Sequence, residues 1–271
     1  MLVLLLLVVA VVGAVGYKVV KKQNTDKNHA TPTASLVTPT THPVTTATTN
    51  TFITSSPVEL AQIAKISKFR SCEGHDSSGY DIEGMAETNR SMKHYILPID
   101  ALAGSIGKVK EFAPFDGTIV TLFPESSTHG NQMWIQSTAD PSWVIILFHL
   151  DTNLTVGTTV KSGDPVGYAS LGLKENSFDV ALMKTDETTL SKTKEVFNKK
   201  TVTGNFSEND RANPPKFTYD SFLLHMSPSV TTSYAARGLT ADTSIISKAA
   251  RDAQPCVFGG PIDPANWVML N

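Results

Sequence analysis

Hydrophobic positions fall into three regimes along the chain. From Met1 to Tyr17 the residues are apolar or glycine, and Lys18, Lys21 and Lys22 close the run. If Lys18 snorkels, the run just reaches the length that spans a bilayer. A buried core helix would show a polar face, and none precedes Lys18. Residues 1–22 are therefore expected to be a transmembrane anchor or an uncleaved signal. In the second regime Thr recurs with Pro32, Pro39, Pro43 and Pro57. Such a segment buries too little apolar surface to offset its ordering entropy, so residues 23–56 are expected to be a disordered Thr/Pro-rich linker.

The third regime alternates apolar and polar residues at the strand period. It predicts strands at 106–115, 118–123, 132–137, 143–150, 165–169 and 178–183. Ser56, Pro57 and Glu59 form a capping-box pattern ahead of Leu60, Ile63 and Ala64, which predicts a short helix. Residues 71–91 are rich in Gly, Ser and Asp and read as loop. Asp116-Gly117 predicts a hairpin turn between the first two strands. Beyond Lys184 the pattern weakens: 188–200 reads as a helix, and 217–226 and 240–251 as short elements. The organisation expected is a short helix and loop at 57–93, a β-domain at 94–184 and a C-terminal extension at 185–271 packing on it. The class is mainly β, a sandwich or barrel with short helices.

Formal net charge is −2, so no basic surface announces nucleic acid, and none is expected as a partner. The pair Cys72 and Cys256 brackets the folded region. Joined, they would close a loop worth roughly 4 to 5 kcal/mol by chain entropy; unrelated buried thiols are the alternative. Asn89, Asn153 and Asn205 begin glycosylation sequons, which become acceptors only in a glycosylating compartment.

Three segments carry a resemblance. They are Phe112-Ala-Pro-Phe-Asp-Gly-Thr-Ile-Val120, Ile146-Leu-Phe-His-Leu150, and Val156-Gly-Thr-Thr-Val-Lys-Ser-Gly-Asp-Pro-Val-Gly167. In the last, Gly157, Gly163 and Gly167 free the backbone for tight turns while Val160 and Val166 point inward. Together they resemble the barrel-sandwich hybrid core of the lysostaphin-type zinc endopeptidases, which cut peptidoglycan cross-bridges. In that family a His-x-x-x-Asp pair and the second His of a late His-x-His strand hold zinc, and further histidines assist the water.

Residue by residue, the resemblance implies a degenerate site. His149 matches an assisting histidine and is a vestigial catalytic candidate. His94 and Asp100 sit near the first ligand pair at too long a spacing. The late strand reads Ser177-Phe-Asp-Val180, so Asp179 stands where the second histidine belongs. Losing even one of three zinc ligands is felt strongly. His94, Asp100 and Asp179 are thus weak metal candidates, zinc being implied only if the domain is an active metallo-endopeptidase with altered ligands and His149 as base. The reading taken is a non-enzymatic binding or scaffolding module without a cofactor, its partner a cell-envelope polymer or envelope protein. His75 reads as a loop residue that could overlie the cleft. A biotinyl-like carrier role for Lys184 fits poorly, because Thr185-Asp186-Glu187 follow it.

Orientation rests on opposed signals. Lysines after the apolar run favour a cytoplasmic far side, whereas the linker, the cysteine pair and the resemblance favour the outside. The expected address is the cell membrane, single-pass through residues 1–22, with the folded domain extracytoplasmic.

Overall fold

The computed structural model describes residues 51–125, 130–172, 176–203, 217–260 and 262–271, without side chains for 197–203. All belong to the unit 46–271. The expected anchor at 1–22 and linker residues 23–50 lie outside the described residues. Among the described residues no helix is long and apolar enough to cross a membrane.

The chain is mainly β. Its strands are β1 (Ile63–Ser67), β2 (Gly79–Tyr80), β3 (Ala86–Glu87), β4 (His94–Pro98), β5 (Ile106–Phe112), β6 (Gly117–Pro124), β7 (Asn131–Ser137), β8 (Trp143–Asp151), β9 (Thr159–Val160), β10 (Pro165–Ser170), β11 (Phe178–Lys184), β12 (Thr218–Asp220) and β13 (Trp267–Met269). The helices are α1 (Glu187–Thr203), α2 (Pro228–Ala235), α3 (Ala241–Ser244) and α4 (Lys248–Ala253). The main sheet path runs β13-β1-β4-β11-β8-β7-β6-β9, with β10 bridging β5 and β8, and with β12, β2 and β3 branching from β11.

At the centre lie β8 and β11, apolar on both faces. Ile145 and Leu147 of β8, with Phe178, Val180 and Leu182 of β11, face the larger core. Val144 and Ile146, with Ala181 and Met183, face a second core that Trp134, Leu190 and Tyr219 complete. Because side chains alternate along a strand, parity separates these two sets in β11 and in β8 as far as Leu147.

Several expectations are corrected here. Residues 51–56 are not linker: Ile53 is fully buried, bridges to Met226, and Phe52 packs at 5.3 Å on Trp143. Instead of the short helix after Pro57 there is a single 3-10 turn at Leu60–Gln62 running into β1. The β-branched Ile63 and Ile66 are wholly buried in the larger core, and this outweighs the local capping pattern. Nor is Asp116-Gly117 a hairpin between β5 and β6. β5 pairs with β10, while β6 pairs with β7 and β9.

Gly117 is required for close packing instead. A Cβ there would lie 2.6 Å from the Gln136 carbonyl oxygen of β7. Asp116 clasps a different turn, accepting from Lys161 Nζ at 2.8 Å and from the Ser162 backbone N–H at 2.9 Å. The boundaries at 94 and 184 also dissolve, since β1, β2 and β3 before them and β12 and β13 after them all join the same sheet. The extension does more than pack on the β-domain: it contributes strands to it.

Candidate functional site

His149 is placed by a break in the alternation of β8. Leu147 pairs with Met133 and Leu150 with Asn131, so Phe148 and His149 together oppose Gln132. This β-bulge puts His149 in the left-handed region, at φ 57°, which a side chain other than glycine occupies only when its surroundings hold it there. By plain parity His149 would follow Ile145 and Leu147 into the larger core. The bulge turns it to the other face, beside Asp179. Glu125, just past β6, secures the conformation: its Oε2 accepts from the His149 backbone N–H at 2.8 Å and from Nδ1 at 2.8 Å.

The other ring nitrogen, Nε2, meets Asp179 Oδ1 at 3.1 Å. Both nitrogens face carboxylate oxygens, so both carry protons and the ring is an imidazolium. Burial opposes that charge, but Asp179 and Glu125 prevail and raise the pKa to about 10.

Asp179 lies in β11 opposite Tyr95 of β4, on the face shared with Ala181 and Met183. It is fully buried, and its Oδ2 is held by the Nζ of Lys93, itself buried. Burial would raise the Asp179 pKa; the Lys93 ammonium and the His149 ring bring it down to about 2. For Lys93 burial favours the neutral amine, yet Asp179 and Tyr95 outweigh it and push the pKa up. The ammonium also sits 4.4 Å from the Phe148 ring centroid and 4.9 Å from that of Tyr95, where ring quadrupoles favour a cation.

A loop closes over this charge cluster. Lys93 Nζ donates to His75 Nε2 at 3.2 Å, which makes Nδ1 the protonated nitrogen, donating to the Asp76 carbonyl at 2.9 Å. Gly74, with φ 67°, brings the loop against Tyr95; a Cβ there would fall 2.1 Å from the ring. Cys72 and Cys256 are joined in a disulfide with Cα atoms 5.1 Å apart, pinning the start of the loop to the C-terminal region. Arg90 Nη1 reaches both sulfurs.

On β5, Glu111 is wholly buried, and its carboxyl oxygens find no hydrogen-bond partner among the described residues. Burial raises its pKa well above the ordinary carboxylate value.

The metal candidates do not converge. His94 precedes Tyr95 on β4 and pairs with Val180, so parity sends it to the face opposite Asp179. There it is fully buried, with Nδ1 on the Ser67 carbonyl at 2.7 Å and Nε2 on Ser221 Oγ at 2.8 Å. Burial lowers its pKa to about 4, making it a neutral core histidine. Asp100 is exposed in a 3-10 turn. Zinc would need three protein donors around one point. Of the expected set, His94 faces away and is committed at both nitrogens, and Asp179 is held by an ammonium. Among the described residues no three His, Cys, Asp or Glu side chains are grouped to hold a metal ion, so His94, Asp100 and Asp179 as placed do not form a zinc site.

Lys93, Glu125 and Tyr95 are absent from the sequence-based expectations, which follow the positions of the resemblance and so pass over them. A lysine immediately before His94, at the opposite parity to that histidine, was the available signal. His75 does overlie the cleft. Of the sequons, Asn89 donates from Nδ2 to the Cys256 carbonyl at 3.1 Å, Asn153 is exposed, and Asn205 lies outside the described residues.

Beside the cluster opens a cleft of about 400 Å³ lined by His75, Tyr95, His149, Asn176, Ser177 and Trp267, among others. The indole N–H of Trp267 is buried without a hydrogen-bond partner among the described residues. A larger depression of about 650 Å³ lies over the disulfide, between Arg90, Arg251 and Ile262; it shares Glu73, Gly74 and Ile262 with the cleft but is not lined by Lys93, His149 or Asp179.

The sequence matches no family model and no curated protein. Among solved structures it is similar to lysostaphin, at 21% identity over 41% of this chain and 44% of that one, TM-score 0.29. It is also similar to the catalytic domain of the antimicrobial peptidase lysostaphin from Staphylococcus simulans, at 20% identity over 47% of this chain and 84% of that one, TM-score 0.31. A third is a zinc containing peptidase from Vibrio cholerae, at 17% identity over 49% of this chain and 37% of that one, TM-score 0.31.

Proposed function

We propose that this chain is a non-hydrolytic, lysostaphin-type peptidase-like module, displayed outside the cell membrane on a tether and binding a cell-envelope polymer or an envelope protein. One observation carries the reading. The side chains at the expected catalytic centre neutralise one another, Lys93 against Asp179 and His149 against Asp179 and Glu125. A general base must have a free lone pair at working pH. His149, with its pKa raised to about 10, is protonated at neutral pH on both nitrogens and accepts no proton.

The cleft beside it offers neutral donors and acceptors on Asn176, Ser177 and Trp267, with Tyr95 as an aromatic wall. Glu73 and the His149 ring line it as well, so the cleft suits a hydrogen-bonding polymer that carries charged groups. Residues 1–22 supply the membrane attachment in this reading, and no cofactor takes part.

The test is co-sedimentation of the purified full chain with insoluble peptidoglycan, alongside turbidity and released-amine assays for hydrolysis. Retention that falls at least several-fold in Trp267→Ala and Ser177→Ala variants, without release of soluble fragments, is expected. Chelator-sensitive hydrolysis abolished by His149→Ala would overturn the proposal and restore the metallo-endopeptidase reading. Protease accessibility of the domain on intact cells tests the extracytoplasmic address.

A further inference from the structure

Arg90 is a buried cation without a counter-charge. It is 4% exposed, and its Nη2 donates to the carbonyl oxygens of Arg251 and Gln254. Its Nη1 donates to Cys256 Sγ and, at 3.0 Å, to Cys72 Sγ. No carboxylate pairs with it among the described residues. Glu87 is taken by Arg70 at 2.6 Å and by Arg251 at 2.8 Å, and Asp252 by Arg251 at 2.8 Å. Glu73, beside Cys72 in the chain and on the wall of the same depression, makes no ion pair with it either. A guanidinium keeps its proton, so a positive charge lies among neutral acceptors, which costs free energy until an anion reaches it.

The anion at hand is a thiolate. A disulfide sulfur is a weak, uncharged acceptor, whereas reduction can place a negative sulfur directly on Nη1. The two sulfurs are not equivalent. Cys72 is half-buried and lines the depression of about 650 Å³, which Cys256, 8% exposed, does not. A nucleophile arriving through the depression therefore reaches Cys72. Exchange is favoured when the attacked sulfur is accessible and the departing thiolate is stabilised, and Arg90 stabilises the one on Cys256. The bond also clamps the cleft. Cys72 opens the Glu73-Gly74-His75 loop, and Cys256 precedes Ile262 and Trp267; both segments line the cleft.

We infer that the disulfide of Cys72 and Cys256 is an exchange site for a dithiol reductant and a latch on the cleft, with Cys72 as the attacked sulfur and Cys256 as the leaving thiolate. A thiolate of the reagent bonds to Cys72 Sγ as the bond between the two cysteines breaks, and its electron pair goes to Cys256 Sγ beside Arg90. The reagent's second thiol then attacks its own sulfur in the mixed disulfide and frees Cys72. Overall two electrons pass to the protein and the dithiol becomes a cyclic disulfide. One of its protons ends on Cys72 and the other in solvent, while Cys256 keeps the negative charge. The loop of Glu73, Gly74 and His75 then loses its tie to the C-terminal region.

The experiment uses folded full-length protein at pH 7. Equilibrated with reduced and oxidised dithiothreitol, wild type should favour the reduced state by at least about tenfold over Arg90→Gln, the scale of one charge-assisted hydrogen bond, as alkylation and mass spectrometry count. Pulsed with 2-mercaptoethanol and iodoacetamide together, it should carry the mercaptoethanol adduct on Cys72 and the alkyl group on Cys256. Amide exchange at residues 73–77 should quicken on reduction while β8 and β11 keep their protection. An Arg90→Gln equilibrium equal to wild type would overturn the inference. So would adducts on Cys256, a disulfide reduced only as fast as the chain unfolds, or loop protection that reduction leaves unchanged. Should Arg90→Gln not fold, the adduct position and loop exchange of wild type decide. None of these measurements involves a cleft ligand, so the binding-module reading stands or falls on its own test.

Discussion

Asp179→Asn is the sharpest probe of the charge cluster. The side chains of Lys93 and Asp179 are 3% and 0% exposed, so the substitution leaves an ammonium buried between Phe148 and Tyr95 with its main counter-charge gone. Removing one member of such a pair typically costs about 3–5 kcal/mol, because the remaining charge stays desolvated. With a urea m-value of roughly 2 kcal/mol/M, the unfolding midpoint should fall by about 2 M.

The acid limb offers a second measure of the same contact. Asp179 moves from its ordinary 3.8 to about 2 in the folded state. A depressed carboxylate contributes stability above its unfolded value and loses it as pH falls from there through about 2; the shift corresponds to about 2 kcal/mol. Asp179→Asn should remove that acid limb. The double variant Lys93→Met, Asp179→Leu, in which neither charge is buried, should recover most of the loss. Urea titrations at pH 7 and pH 3 measure all three proteins. An Asp179→Asn midpoint within about 0.3 M of wild type, equivalent to less than 1 kcal/mol at that m-value, would refute the reasoning, since a buried ammonium could not then depend on this carboxylate.

Further expectations follow from the same contacts. The raised His149 pKa, about 10, means its stabilisation is complete below the unfolded value near 6.5 and is lost as pH rises through about 10, so stability should decline over that window and the decline should flatten in His149→Gln, as thermal melts from pH 6 to 10 would record. Reducing the disulfide between Cys72 and Cys256, which are 184 residues apart, should cost up to about 5 kcal/mol by loop entropy, read as a lower melting temperature in reductant and in Cys72→Ser/Cys256→Ser. Phe52→Ala should destabilise by about 3 kcal/mol, because Phe52 stacks on Phe115 and Trp143; a chemical-denaturation midpoint equal to wild type would return residues 51–56 to the linker.

Much of the strand framework was legible in the chain. The expected strands at 118–123, 132–137 and 143–150 correspond to β6, β7 and β8 to within a residue at each end, because half-buried and buried strands impose a period that local composition preserves. Short strands such as β2, β9 and β13 were missed, since two or three residues cannot display a period. The capping pattern at Ser56-Pro57 misled because burial of Ile63 and Ile66 outweighs a helix of a single turn.

By itself the sequence determined the longer extended stretches, β6, β7 and β8 among them, and that imidazoles are missing from residues 177–180. These are local properties, written in side-chain period and backbone freedom. Only the tertiary structure decided which strand edges meet and which face each chemical group occupies. His94 and Lys93 are neighbours, yet pairing of β4 with β11 sends one to the core and the other to Asp179; a bulge turns His149 the same way. A one-residue change of register reverses a side chain's face, and register is fixed by packing across the whole sheet rather than by any single segment.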